Sequence, residues 1–321
     1  MRVLITGGAG YIGSVTAAYL LDNGFEINIL DNLSTGHEKL IDKRAKFFFG
    51  DILDSNSVVN SLTGCEAVVH LAGKAIVSES VSKPDYYMEN NHMGTKNILN
   101  SMKKILVSKL VFSSSCAVYG NPFSKLIAED NPTNPINPYG ESKLLAENEI
   151  DQFSKENNLN SISLRFFNVG GSYKNNSNIL FGEIHDEETH LIPKILNSKS
   201  VNIYGRDFET PDGTCVRDYV HVVDLARAIK LSLEKKTLEH HKVYNLGSGN
   251  GSSVLEVIEE AEKVILSEIT KHDGPPKNGD PAYLVSDSKL ANTELGWASQ
   301  FSLNKIINDS YAFNQAVNLD I

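Results

Sequence analysis

A glycine-rich turn between a β-branched run and an amphipathic stretch constrains this chain more than any other feature. Val3-Leu4-Ile5-Thr6 leads into Gly7-Gly8-Ala9-Gly10-Tyr11-Ile12-Gly13, and Val15 to Leu21 follows before Asn23-Gly24. A strand that enters a helix through glycines lets main-chain N–H groups approach a pyrophosphate, whose charge the helix N-terminus complements. Both Gly8-x-Gly10-x-x-Gly13 and Gly7-x-x-Gly10-x-x-Gly13 are present. Asp31 ends the second apolar run, 18 residues after Gly13. An acid there accepts hydrogen bonds from both ribose hydroxyls of an adenosine and repels a 2′-phosphate. No Lys or Arg follows until Lys39. The pattern points to NAD.

The rest of the first half repeats the alternation. Apolar runs at Ile27–Leu30, Lys46–Phe49, Ala67–His70, Lys109–Phe112 and Ser161–Phe166 are separated by helix-like segments near Ser55–Leu62, Pro84–Met102 and Pro138–Asn157. Strands spaced by helices of this length are βαβ units, so residues 1–168 read as an α/β, doubly wound parallel sheet of the Rossmann kind. The second half is less regular. Residues 172–188 read as a polar surface loop, Val243–Leu246 as a strand, Val254 to Leu266 as a helix, and residues 274–281 as a Pro/Gly loop. No linker separates the halves, which predicts a smaller α+β domain packed on the first.

Bulk properties remove whole classes of function. The 321 residues carry 30 basic and 40 acidic side chains, a formal charge of −10. A nucleic-acid binder needs a basic footprint. Hydrophobic residues make up 41%, ordinary globular usage, so global disorder is excluded. No stretch has the length of a membrane span. Cys65, Cys116 and Cys215 are odd in number and far apart, which fits neither a disulfide framework nor a zinc site. With a strand at the N-terminus in place of a signal peptide, the expectation is a cytoplasmic protein without a metal.

Two further segments carry chemistry. Asn137-Pro138 opens a helix as N-cap and first position, and Tyr139 and Lys143 then share one helical face. A phenol ordinarily titrates near pH ~10, too high for a base at neutral pH. A nearby ammonium and the positive ring of NAD favour the phenolate. Ser113-Ser114-Ser115 ends the strand that begins at Lys109. Ligands sit at such strand ends, where a hydroxyl is placed to bond a substrate oxygen.

Taken together, Thr6–Gly13, Asp31-Asn32-Leu33-Ser34, Ser113-Ser114-Ser115 and Tyr139-x-x-x-Lys143 resemble the extended short-chain dehydrogenase/reductases. Glu89-Asn90-Asn91, Arg165-Phe166-Phe167-Asn168 and the run Asp212 to Asp224 resemble its nucleotide-sugar 4-epimerase branch, and Tyr244-Asn245-Leu246-Gly247 and Leu295-Gly296-Trp297 extend the likeness nearly to the end. The resemblance implies bound NAD, a UDP-hexose substrate (UDP-glucose or UDP-galactose), and inversion of C4 through a 4-keto sugar that turns over between hydride removal and return. By that resemblance Tyr139 is the base, Lys143 holds the nicotinamide ribose, and Ser115 bonds the reacting oxygen. Gly7, Gly10, Tyr11, Ile12, Gly13, Asp31, Asn32, Ser34, Asp51, Ile52, Leu71, Ala72, Asn90 and Phe167 would line the cofactor. Asn168, Leu191, Tyr204, Arg217, Lys277 and Asp280 would face the nucleotide sugar, with Arg217 on the diphosphate. The implied division is residues 1–168 and 216–248 for NAD, and 169–215 and 249–321 for the sugar nucleotide, with a homodimer formed through the helices near Pro84–Met102 and Pro138–Asn157.

Three positions depart from expected patterns. Thr189-His190 stands where some members have Asn-Asn, making His190 a candidate phosphate neighbour. Pro276-Lys277 replaces an arginine pair, supplying charge without the bidentate fork. The position that limits N-acetylated sugars falls on Leu284, or on Tyr283 with a shift of one. Epimerisation of a UDP-N-acetylhexosamine is therefore an alternative, as is a non-catalytic NAD-binding regulator. Cys116-Ala117 after Ser115 disfavours dehydratase and decarboxylase chemistry.

Overall fold

The structure, a computed structural model, describes residues 1–185, 188–235, 239–276 and 280–319. Seven parallel strands form the main sheet: β1 (Arg2–Thr6), β2 (Glu26–Asp31), β3 (Lys46–Phe49), β4 (Ala67–His70), β5 (Lys109–Ser115), β6 (Asn160–Phe166) and β7 (His241–Leu246). Their order is β7-β6-β5-β4-β1-β2-β3. The chain winds outward from β1 through β2 and β3, then crosses back to β4 and proceeds the other way. The reversal falls between β1 and β4, where open α/β sheets leave a crevice at the strand C-termini.

Alternation within β1 explains the layering. Val3 and Ile5 belong to a core shared with Ala17 and Leu20 of α1 (Tyr11–Asp22), whereas Leu4 belongs to a second core on the other face. The second core takes Val58 and Leu62 from α2 (Ser55–Leu62), Ile98, Leu99 and Met102 from α3 (Gly94–Ile105), and Ala146 and Ile150 from α4 (Pro138–Asn157). Successive strand side chains point to opposite faces, so a strand apolar throughout needs helices on both. Leu225, Ala228 and Ile229 of α5 (Val222–Glu234) join α1 on the first face.

A second body contributes the other wall of the cleft. Helices Leu191–Ser198, Val254–Ile265 and Leu303–Leu319 enclose a core of Ile192, Ile195, Val257, Ile258, Ile306 and Ile307. The strand Val216–His221 pairs with Gly251–Ser253, Tyr283–Ser286 and Asn168–Gly170 in smaller sheets. After it the chain returns through α5, and β7 pairs in parallel with β6. No helix among the described residues is long and apolar enough to cross a membrane.

The segment read as one helix near Pro84–Met102 is interrupted. A short helix Pro84–Tyr87 passes through a π-helical turn, Met88–Met93, before α3. The wider turn carries Asn91 inward, where its amide accepts from the Lys74 N–H (2.8 Å) and donates to Ser142 Oγ (2.9 Å). Such turns occur frequently at functional sites.

Candidate active site

The glycine turn is packed against itself. Gly7 adopts φ +72°, the left-handed region that favours glycine, and its carbonyl accepts from the Gly10 N–H at 3.2 Å. A Cβ on Gly13 would stand 2.0 Å from Gly7 O, and one on Gly7 would stand 2.6 Å from the Ala72 nitrogen. At Gly7 and Gly13 the turn therefore has no space for a side chain, and the first N–H groups of α1 have no intrahelical partner. The turn fits the pyrophosphate of a dinucleotide.

Asp31 closes the same end. Its carboxylate accepts from the N–H groups of Ala9 (2.9 Å) and Leu33 (2.8 Å), which fix the side chain while each oxygen keeps a further lone pair for a ribose hydroxyl. Asn32 donates to Asp51 (2.8 Å) and accepts from the Ser34 N–H (3.0 Å). Lys74, far away in sequence, donates to Ser34 Oγ at 3.0 Å.

Tyr139 and Lys143 rise from the first turns of α4. Asn137 caps that helix, its side chain accepting from the Gly140 N–H at 2.9 Å, with Pro138 in the first turn as the sequence predicts. Lys143 is buried, donates to the Ser113 carbonyl at 2.8 Å and lies 4.9 Å from the Phe112 ring centre. Burial lowers its ammonium to about 8, against the charge of Glu147. Burial pushes the Tyr139 phenol up to about 12, opposed by a hydrogen bond with Ser115. One turn beyond Lys143, Glu147 forms a two-pronged pair with Arg165 of β6 at 3.0 and 2.7 Å, both side chains buried.

The glycine turn, Asp31, Asn32, Ser34, Lys74, Ser115, Tyr139 and Lys143 line one cleft of about 630 Å³, together with Ile12, Ile52, Leu71, Ala72, Asn90, Phe167, Asn168 and Leu191. Arg217 reaches it with its guanidinium paired to Asp280 at 2.7 Å and donating to Pro281 O at 2.8 Å. Asp51 and Tyr204 are not on the cleft wall, and Lys277 lies outside the described residues. Leu284 lines the cleft, whereas Tyr283, its neighbour in the strand, faces a separate hollow under the Lys125 ammonium (4.7 Å). The alternation of a strand thus selects Leu284 over Tyr283.

Sequence reasoning missed several lining groups. Lys74 carries no local signal, because only the fold brings it to the cleft, and Tyr219 lies within the run Asp212 to Asp224 without having been assigned to the site. His185 lines it beside His190. Hydrogen bonds that its ring donates to Glu183 and Glu188 raise His185 to about 10; burial lowers His190, but the hydrogen bond to Glu183 and its charge prevail and raise it. The spacing Glu183-x-His185 and Glu188-x-His190 was the signal available.

With this geometry in place, comparison with known proteins is informative. A model of the NAD dependent epimerase/dehydratase family matches residues 3–247. The chain is 42% identical over 323 residues to the UDP-glucose 4-epimerase of Corynebacterium glutamicum, covering 99% of this chain and 97% of that one. To the UDP-glucose 4-epimerase of Lactobacillus helveticus it is 45% identical over 306 residues, covering 92% of each. A crystal structure of UDP-glucose 4-epimerase from Bifidobacterium longum in complex with NAD+ and UDP superposes with a TM-score of 0.92 at 35% identity, covering 100% of both chains.

Proposed function

The chain belongs to the NAD dependent epimerase/dehydratase family, and from that premise we propose that it interconverts UDP-glucose and UDP-galactose by inverting C4. The observation that carries the reading is Tyr139 beside Ser115, with buried Lys143 on the same helical face, in the same cleft as the glycine turn. Bound NAD supplies a hydride acceptor that takes the C4 hydrogen and returns it. Gly7, Gly10 and Gly13 shape the turn so that its pyrophosphate reaches the unpaired main-chain N–H groups at the start of α1, while Asp31 holds its adenosine ribose and Lys143 its nicotinamide ribose.

Tyr139 takes the proton from the 4-hydroxyl and returns it after the sugar has turned. Lys143, with its own value near 8, is protonated at neutral pH and favours the phenolate against the burial that raises it. Ser115 donates to the same sugar oxygen. Arg217, already oriented by Asp280 and Pro281, pairs the diphosphate. Firm nucleotide contacts and loose sugar contacts let the 4-keto hexose present its other face. Residues 1–168 and 216–248 form the NAD-binding part, and 169–215 and 249–321 the part that holds the nucleotide sugar.

Incubation of the purified protein with UDP-galactose, read as UDP-glucose formed, tests the reading directly. Absence of the 4-epimer, with NAD bound, overturns it. Leu284 on the cleft wall favours a second substrate class, since the resemblance associates a bulky Tyr there with exclusion of N-acetylated sugars. UDP-N-acetylgalactosamine should therefore also be epimerised, and Leu284→Tyr should suppress that conversion while sparing UDP-galactose. Equal loss of both would rule out a gate at Leu284. The homodimer reading is supported by exposed Tyr86, Met93 and Leu145 on the two helical segments assigned to the interface. Light scattering of the protein and of Met93→Glu checks it. All three cysteines are buried, which supports the reading of a protein in a reducing cytoplasm.

A further inference from the structure

The loop that enters helix Leu191–Ser198 contains Glu-x-His twice, at Glu183-x-His185 and Glu188-x-His190. It folds so that the two pairs meet. Glu183 lies 3.3 Å from His185 Nδ1 and touches His190 Nδ1, while Glu188 lies 3.3 Å from His185 Nδ1 and 3.8 Å from His190 Nδ1. One ligand atom from each residue falls within 4.8 Å of the other three. We propose that Glu183, His185, Glu188 and His190 form a site for a divalent transition cation of the Zn2+ class.

Donor chemistry selects the ion. Two imidazole nitrogens and two carboxylate oxygens suit Zn2+, whereas Mg2+ and Ca2+ seek oxygen throughout. With neutral imidazoles the four ligands sum to two negative charges, which one dication cancels. The spacing agrees. Bonds of about 2.0–2.2 Å in a tetrahedron set ligand-to-ligand edges of about 3.3–3.6 Å. Three of the cross-contacts, at 3.3, 3.3 and 3.8 Å, lie near that edge and beyond the ~2.7–2.9 Å of a charge-assisted hydrogen bond. Glu183 and His190 alone are drawn closer.

The surroundings prepare the ligands. Glu188 Oε1 accepts from the N–H groups of Thr189 and His190, both at 2.8 Å, which orients the carboxylate. Among the described residues, the ion pairs of Glu183 and Glu188 are with these two histidines. No lysine or arginine among them competes for the carboxylates. Both histidines line the main cleft beside Leu191, so the cation would clamp the cleft loop onto the helix that follows it.

The test uses untagged, full-length protein stripped with a chelator, incubated with ZnCl2, gel-filtered and assayed by elemental mass spectrometry. The expected result is about one retained Zn2+ per chain, and intense visible absorption of four-coordinate Co2+ when cobalt replaces zinc. His185→Ala and Glu183→Gln should each lower retention roughly tenfold or more, with thermal melts showing that the variants fold. Should a variant fail to fold, the Co2+ spectrum of the parent decides, and weak six-coordinate absorption overturns the site. Negligible retained metal, or equal retention in folded variants, also overturns it. The readout is metal content, so loss of epimerase activity leaves this result standing, and an active protein that binds no metal sinks the site alone.

Discussion

The two ends of the cleft hold charge in opposite ways. At the glycine turn the donors are main-chain N–H groups, fixed by a backbone so closely packed that a Cβ on Gly13 would stand 2.0 Å from Gly7 O. At the far end the donor is a side chain already bonded to a carboxylate, Arg217 to Asp280. A backbone cradle recognises shape and cannot adapt. Paired side chains recognise charge and can exchange one anion for another. The first arrangement suits a ligand that stays, the second a ligand that arrives, turns and leaves.

Tyr139→Phe separates binding at both ends from the chemistry between them. Turnover should fall ~10²–10⁴-fold while NAD content and UDP affinity stay unchanged, as measured by steady-state kinetics and calorimetry. Unchanged turnover would remove the base assignment. Gly13→Ala attacks the unyielding end. Overpacking of about 1–3 kcal/mol corresponds to ~5–150-fold weaker NAD retention, assayed as nucleotide released on desalting. Arg217→Ala attacks the adaptable end and should weaken UDP by roughly tenfold, an effect that shrinks as salt is raised. NAD retention should not follow. If both substitutions loosen both ligands equally, the contrast between the ends is wrong.

The smallest effect concerns the charge between them. Lys143 titrates near 8 in the fold against 10.5 when unperturbed, so the unfolded chain binds more protons between those values. Stability from this group therefore rises with pH from about 8 to 10.5, and the penalty of the buried ammonium is complete below 8. Lys143→Met removes that penalty but also the bond to Ser113 O. We expect a net gain of about 1–2 kcal/mol at pH 7 that fades by pH 10, read from urea midpoints. A gain that does not change with pH would mean that packing, not charge, is responsible.

Which parts of this were readable in advance follows from the range of each interaction. The glycine turn, Asp31 and the Asn137-Pro138-Tyr139 helix start are local, and residue spacing alone specifies their geometry. The sheet was legible because Val3, Leu4 and Ile5 of β1 are apolar in succession, which demands cover on both faces. Four features were not legible. The π-helical turn at Met88–Met93 follows from long-range bonds of Asn91 to Lys74 and Ser142. Lys74 meets Ser34 only through the crossover from β3 to β4. The loop read as plain polar surface up to residue 188 instead contributes His185 to the cleft, because its alternating acids and imidazoles attract one another once folded. The choice between Leu284 and Tyr283 needed only the phase of one short strand, and sequence does not supply phase for a strand of four residues.

The fork between Arg165 and Glu147 has a consequence for alignment. It ties the middle of α4 to a strand of the main sheet by two short bonds in a buried setting. Sliding α4 along its axis by one residue would carry Tyr139 about 1.5 Å and tear both bonds. An offset of that size is enough to disrupt a reacting geometry. The phenol's height above the strand ends is thus gauged from the sheet itself, with the fork as the calibrating mark.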